Sequence, residues 1–239
     1  MSMTVVRAGF RQGLGRLWTR SAAGLVVVAL LLSGLVALVE SMQAPWVAAV
    51  TVDRSLRGPG FGLVIPLVCL AMAARVVGPG TPEQAAQGIA GLGGSRRPMV
   101  LGLVGASVVG CALLAALAAA ATALVGYGSH GATGAYAGGA LGDIGTASWV
   151  GALTGAAYGS YYTAAACVGR GGWGRWVALV ADLAFGLTTG FGALVFPRAH
   201  GLNLLGAEAL LGFPQWASSL SLGLLGMAYA LLVPLLTRR

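Results

Sequence analysis

The 239-residue chain contains no lysine. Its six acidic residues and 14 arginines make only 8% of the chain charged, against roughly 25% in an ordinary soluble domain, and it has two histidines. Each shortage excludes something. A phosphate-binding loop of the Gly-x-x-x-x-Gly-Lys-Ser/Thr type needs its lysine to hold the β- and γ-phosphates, so the chain does not hydrolyse ATP by that route. Three cysteines, an odd number set in apolar sequence, do not make a disulfide framework, and Cys69, Cys111 and Cys167 read as small apolar packing residues. His130 and His200 stand apart from each other and from any cysteine or acidic cluster. No metal and no cofactor is therefore expected in this chain, and no catalytic constellation marks it as an enzyme.

What is abundant is apolar. Hydrophobic types make up 57% of the chain and glycine contributes 40 residues. So few charges cannot solvate the surface of a globule of this length, whereas a lipid solvent lets apolar side chains face outward. Glycines interspersed with Leu, Val and Ala suit membrane helices, where small residues let backbones approach. The net charge of +8 is carried by 14 arginines. They flank apolar segments and form no basic run interleaved with aromatics, so nucleic acid is not an expected partner and membrane lipid is.

Residues 1–20 form an amphipathic unit. Val6, Phe10, Leu14, Leu17 and Trp18 recur at helical spacing, interleaved with Arg7, Arg11, Arg16 and Arg20, which predicts a helix lying in the membrane interface. Residues 21–239 then form one all-α transmembrane domain. Its apolar segments run from about Ser21 to Met42, Gly60 to Val77, Met99 to Val125, Ala147 to Val168, Trp176 to Phe196 and Trp216 to Leu236. With the N-terminus inside, eleven arginines fall on the cytoplasmic side. Only Arg54, Arg57 and Arg198 fall outside, so the positive-inside rule favours six spans with both termini cytoplasmic. No leader with a small-residue cleavage site is recognised, and the first segment is expected to be retained.

Three connections are informative. The Gly126–Thr146 stretch reads as a flexible or re-entrant outer cap. The stretch from Pro197 to Gln215 is too apolar for a solvated loop and predicts a helix dipping into the outer leaflet. Between the second and third segments, Thr81 is a good N-cap, Pro82 suits the first helical position and Glu83 complements the dipole. Gln84 completes a capping box with Thr81, and Gly93 and Gly94 end the helix. A helix over about 81–92 is expected, exposing Ala86, Ile89, Ala90 and Leu92.

A short capped helix between two spans has a use if it docks on a soluble partner. In this respect the layout resembles the permease subunit of a type-2 ABC exporter, with an interfacial N-terminal helix, six spans, a cytoplasmic coupling helix between spans two and three, and a re-entrant segment before the last span. Leu92-Gly-Gly-Ser95-Arg96-Arg97 stands where that family has a Leu-x-x-x-Pro-x-Ser-Arg run; the Ser-Arg part matches and the proline is missing. The resemblance implies export across the bacterial cytoplasmic membrane, a separate ATP-binding cassette ATPase carrying ATP and Mg, and a second permease copy or homologous permease. It places ATPase coupling on Thr81, Pro82, Glu83, Gln84, Ile89 and Leu92. The alternative is an ATP-independent carrier or channel, or a membrane scaffold. Asp182 is the acid set well inside a segment; with Tyr158, Tyr162 and Thr188 it either lines a pathway or makes interhelical hydrogen bonds. Gly151, Gly155 and Gly159, like Gly186 and Gly190, have the spacing of close-packing helix faces.

Overall fold

The computed structural model describes residues 3–43, 48–90, 96–130, 137–188, 190–207 and 210–237. They form ten α-helices: α1 (Met3–Leu17), α2 (Arg20–Gln43), α3 (Ala48–Ser55), α4 (Ile65–Val77), α5 (Pro82–Ala90), α6 (Arg96–Gly128), α7 (Ala137–Ala165), α8 (Gly174–Phe185), α9 (Pro197–Leu204) and α10 (Gln215–Leu236). No strand occurs among the described residues. Four stretches are long and apolar enough to cross a membrane: α2, the run that starts at Ala48 and contains α4, α6, and α10. Apolar side chains cover their outer surfaces, among them Leu31 and Leu35 on α2 and Leu224 and Leu235 on α10. That inversion of the soluble pattern is what a lipid solvent permits.

The long helix α6 is the axis on which α1–α5, α7 and α10 pack, and small residues set how closely they approach. On α7, Gly151, Gly155 and Gly159 lie directly on the α6 backbone. A methyl added at Gly151 would stand 2.6 Å from the Ala115 carbonyl oxygen, and one at Gly159 would stand 2.7 Å from that of Ser107. Ser107 Oγ donates to the Gly159 carbonyl at 3.0 Å across the same contact. The successive Gly-x-x-x-Gly pairs are thus a packing surface within the subunit. Helix α1 also rests on α6: Gly9 and Gly13 are buried, with Gly9 against Met99 and Gly13 against Ala106.

Several elements differ from their sequence expectation. The second apolar segment begins at Ala48 rather than Gly60, because α3 leads through a π-helical stretch, Leu56–Val64, into α4. The stretch is kinked where Gly58 leaves helical geometry (φ −75°, ψ −107°), and Pro59, which has no N–H to donate, follows directly at the kink. The stretch expected to be an outer cap is largely helical: its first residues end α6 and residues 137–146 begin α7, with 131–136 outside the described residues. The fifth apolar segment is not one helix. It stops at Phe185, and after a turn at Gly186 the chain continues as a 3₁₀ segment, Phe191–Val195. Helix α9 follows. Its residues Pro197 to Asn203 are buried by protein, against α7, α10 and the π-helical stretch.

Candidate functional site

Two places concentrate polar chemistry: the elbow between α4 and α5, and a buried cluster around Asp182. The elbow begins where α4 ends at Val77, and Gly78 turns the chain with φ of 93°, a region that favours glycine. Thr81 then starts α5 as the sequence predicts. Gln84 N–H donates to Thr81 Oγ1 at 3.3 Å, and Thr81 N–H donates to Gln84 Oε1 at 2.9 Å. The reciprocal pair is a capping box, satisfying two donors that a helix start leaves open. Pro82 is buried at the first turn, and Glu83 pairs with Arg96 at the start of α6 at 3.3 Å.

The orientation of α5 corrects one expectation. Ala86 is fully buried rather than exposed, in a cluster with Met99, Val100 and Val104 of α6 and Ala164 of α7. The exposed side chains are Gln84 and Gln87, three residues apart and so on one helix face. Leu92, Gly93 and Gly94 lie outside the described residues, as do the side chains of Ile89 and Ala90.

Two arginines hold the elbow. Arg16 of α1 donates through Nη1 to the carbonyls of Val76 and Val77 at 2.6 and 3.0 Å, closing the open end of α4. Arg175 of α8 donates to Gly78 and Gly80 at 3.1 and 2.7 Å, and to Gly172 at 3.1 Å. The sequence places Arg16 on the interfacial face of the N-terminal helix and Arg175 at a segment boundary; their carbonyl partners are 60 and 97 residues away in sequence, and no local pattern announces them. Beside Arg175 a cleft of about 510 Å³ opens between α4 and α8. It is lined by Leu67, Leu70, Ala71 and Ala74 on one side and Trp176 on the other.

The second place lies between α7 and α8. Asp182, fully buried, accepts from the Tyr158 hydroxyl at 2.6 Å. Tyr162, one turn on along α7, stacks on Tyr158 with ring centroids 5.3 Å apart. Tyr161 donates to the Ala178 carbonyl at 2.9 Å and packs edge-on against Tyr229 of α10. Arg198 reaches in from α9, where Nη1 donates to the Leu183 carbonyl at 3.1 Å. Space for it comes from Gly186 and Gly62, where added methyls would lie 3.1 and 3.2 Å from its side chain. The Tyr162 hydroxyl and Thr154 Oγ1 are buried with no hydrogen-bond partner among the described residues.

Asp182, Tyr158 and Tyr162 are therefore brought together, whereas Thr188 is not: it is exposed and bonds the Phe185 carbonyl at 2.7 Å. Thr189 lies outside the described residues. On α7, Ser148, Ser160 and Thr163 donate to carbonyls three or four residues back in the same helix, on Ile144, Ala157 and Gly159, as a dry interior requires. Arg198 and His200, expected in an outer loop, are both buried. His200 Nε2 donates to the Leu194 carbonyl at 2.9 Å, and its Nδ1 lies 3.3 Å from Ser218 Oγ, which also accepts from Asn203. That histidine ties the segment before α10 to α10 itself. Cys69 and Cys111 meet between α4 and α6, each thiol donating to the other's carbonyl, at 3.9 and 3.3 Å. Among the described residues no group of three or more His, Cys, Asp or Glu side chains is placed to hold a metal ion.

No protein-family model matches the sequence, and no curated protein and no solved structure shows significant similarity to it.

Proposed function

We propose that the chain is the membrane permease subunit of a type-2 ABC exporter, moving its substrate with ATP hydrolysed on a separate subunit. The observation that carries this reading is α5. It is a capped helix between two apolar runs, seated on α6 through Ala86, with Gln84 and Gln87 turned outward. A connection of this length needs no capped helix, and no seat for one, merely to join α4 to α6. A helix that must receive a push needs both. The chain has no lysine for a phosphate-binding loop of the Gly-x-x-x-x-Gly-Lys-Ser/Thr type, so in this reading that loop belongs to the partner.

In this reading the membrane is crossed six times, by α2, the α3–α4 run, α6, α7, α8 with its broken continuation, and α10. Helix α8 alone, at 12 residues, spans about 18 Å, less than the roughly 30 Å of a hydrocarbon core; the segment up to α9, with Leu187, Phe191 and Val195 exposed and Ala193 buried, completes that crossing. Both ends lie in the cytoplasm of a bacterial cell, and the ATPase docks on α5 beside α1. A second permease copy or a homologous permease completes the transporter. The cleft between α4 and α8 is the place for substrate to enter.

Tagged protein purified in mild detergent should carry a stoichiometric P-loop ATPase, identified by mass spectrometry, and Gln87→Arg should release it. Isolation as a lone oligomer, unaffected by that substitution, would reject the reading. One observation favours a second reading, an ATP-independent carrier: α8 is interrupted within an apolar segment next to a buried acid, as in carriers with broken helices. Substrate flux in proteoliposomes containing this chain alone would favour the carrier.

A further inference from the structure

We infer that Arg175 is a positioning residue that joins the elbow before α5 to the start of α8, so that any displacement of α5 is delivered to α8 as well as to α6. The inference rests on the reading of α5 as the helix that receives a partner's push, although the joint itself is visible in the structure.

Three features make the joint. Arg175 is 4% exposed, although the first turn of α8 carries it at the end of an apolar segment. Its guanidinium donates from three nitrogens to three carbonyls: Gly78 and Gly80 on the elbow, and Gly172 on the turn that precedes α8. All three acceptors belong to backbone, so the contact fixes the path of two chain segments rather than pairing two mobile side chains. A planar fork meets three acceptors at fixed angles in a way that an ammonium cannot.

The turn before α8 is shaped to meet the elbow. Gly169, Gly171 and Gly172 all have positive φ, with Gly172 at 73°. A methyl at Gly172 would stand 2.7 Å from the Gly80 carbonyl oxygen and 2.6 Å from Arg175 Nη2. The two segments therefore touch backbone to backbone, and only glycine at 172 allows it. On the far side of the elbow, Arg16 takes the carbonyls of Val76 and Val77. The Val76–Gly80 stretch is gripped at its start from α1 and at its end from α8, leaving α5 no slack on the α4 side.

The consequence is directional. Helix α5 touches α6 through Ala86 and the Glu83–Arg96 pair, and those contacts alone would pass a push to α6. Arg175 adds the route to α8, which flanks the cleft with α4. A push at α5 then moves one wall of that cleft, and without Arg175 it does not.

The test needs no partner. Spin labels at Gln87→Cys on α5 and Val177→Cys on α8, both exposed, report the joint in a Cys167→Ser background reconstituted in nanodiscs. A control pair places the second label at Leu113→Cys on α6, also exposed. Pulsed dipolar spectroscopy should give a narrow distance distribution for both pairs. Arg175→Ala, and Arg175→Lys to a lesser degree, should abolish the narrow component for the Gln87–Val177 pair and leave the Gln87–Leu113 pair intact. Gly172→Ala opens the same contact from the other side and should do the same, which guards against a misfolded Arg175 variant. An unchanged Gln87–Val177 distribution in all three variants would overturn the inference. Equal broadening of both pairs would also overturn it, since Arg175 would then hold the fold rather than the joint. Because no ATPase enters the measurement, its outcome is separate from whether an ATPase co-purifies.

Discussion

At the scale of single residues, hydrogen bonds in a lipid-facing protein have no water to fall back on. Tyr158 is the clearest case, since its hydroxyl serves a fully buried carboxyl on the next helix. Tyr158→Phe keeps the ring and removes the donor, and should cost about 1–3 kcal/mol, the penalty for a buried acceptor left unmade. Asp182→Asn keeps an acceptor oxygen and should cost much less. Thermal unfolding in detergent of the two variants measures the difference, and an equal loss would contradict the role given to that bond. Gly155→Leu tests packing in the same way. Its side chain would enter the space of the Cys111 carbonyl and the Ala115 side chain, with an expected cost of about 1–3 kcal/mol or more from overpacking. An unchanged melting temperature would show that α6 and α7 can separate without penalty. The glycine spacing was legible in the sequence, and Asp182 stood out there as the acid set inside an apolar segment. The partners of Arg16, Arg175 and Arg198 were not, because each reaches a carbonyl distant in sequence, and every backbone offers carbonyls.

Among the elements, capping chemistry was the most legible feature of the chain. Thr81 and Gln84 bond as their spacing predicts, because a capping box is local and depends on nothing beyond four residues. Thr81→Ala should cost about 0.5–2 kcal/mol of local stability, read as faster hydrogen exchange at the first amides of α5 with α6 unchanged. Equal exchange in α5 before and after the substitution would mean that docking on α6 alone holds the helix. Tertiary facts escaped the sequence. Ala86 faces α6 because α6 offers a cluster for it, and periodicity in a nine-residue helix with two polar faces does not select which face turns inward. Helix α8 stops at Phe185 in a segment whose composition reads as one span, since apolar content is blind to a turn that Gly186 permits and Arg198 fills. The second apolar segment was placed from Gly60 on by its composition, whereas helical structure already begins at α3 and reaches α4 across a kink at Gly58.

For the whole molecule, the apolar exterior of the described helices follows from composition, because a chain with 8% charge has too few charged side chains to cover its surface. Four stretches meet the length and hydropathy of a span directly. Helix α7 is 29 residues long but dilutes its apolar content with glycine, serine and threonine, and α8 is short; the proposed six-span topology adds these two crossings. It predicts that a cysteine at Gln87 is labelled by an impermeant thiol reagent only from the cytoplasm and one at Leu141 only from outside. Labelling of both from one side would require an odd number of crossings to be removed or added between α5 and α7.

The export reading is tested most directly in living cells, by a photo-crosslinking amino acid placed at Gln87 on the exposed face of α5, with Leu235 on α10 as a lipid-facing control. The account predicts a covalent adduct between Gln87 and a P-loop ATPase, absent at Leu235 and lost when α5 is destabilised by Thr81→Ala. No protein adduct at Gln87, under conditions where the chain is correctly inserted, would contradict the claim that α5 receives an ATPase and would leave the carrier as the better description.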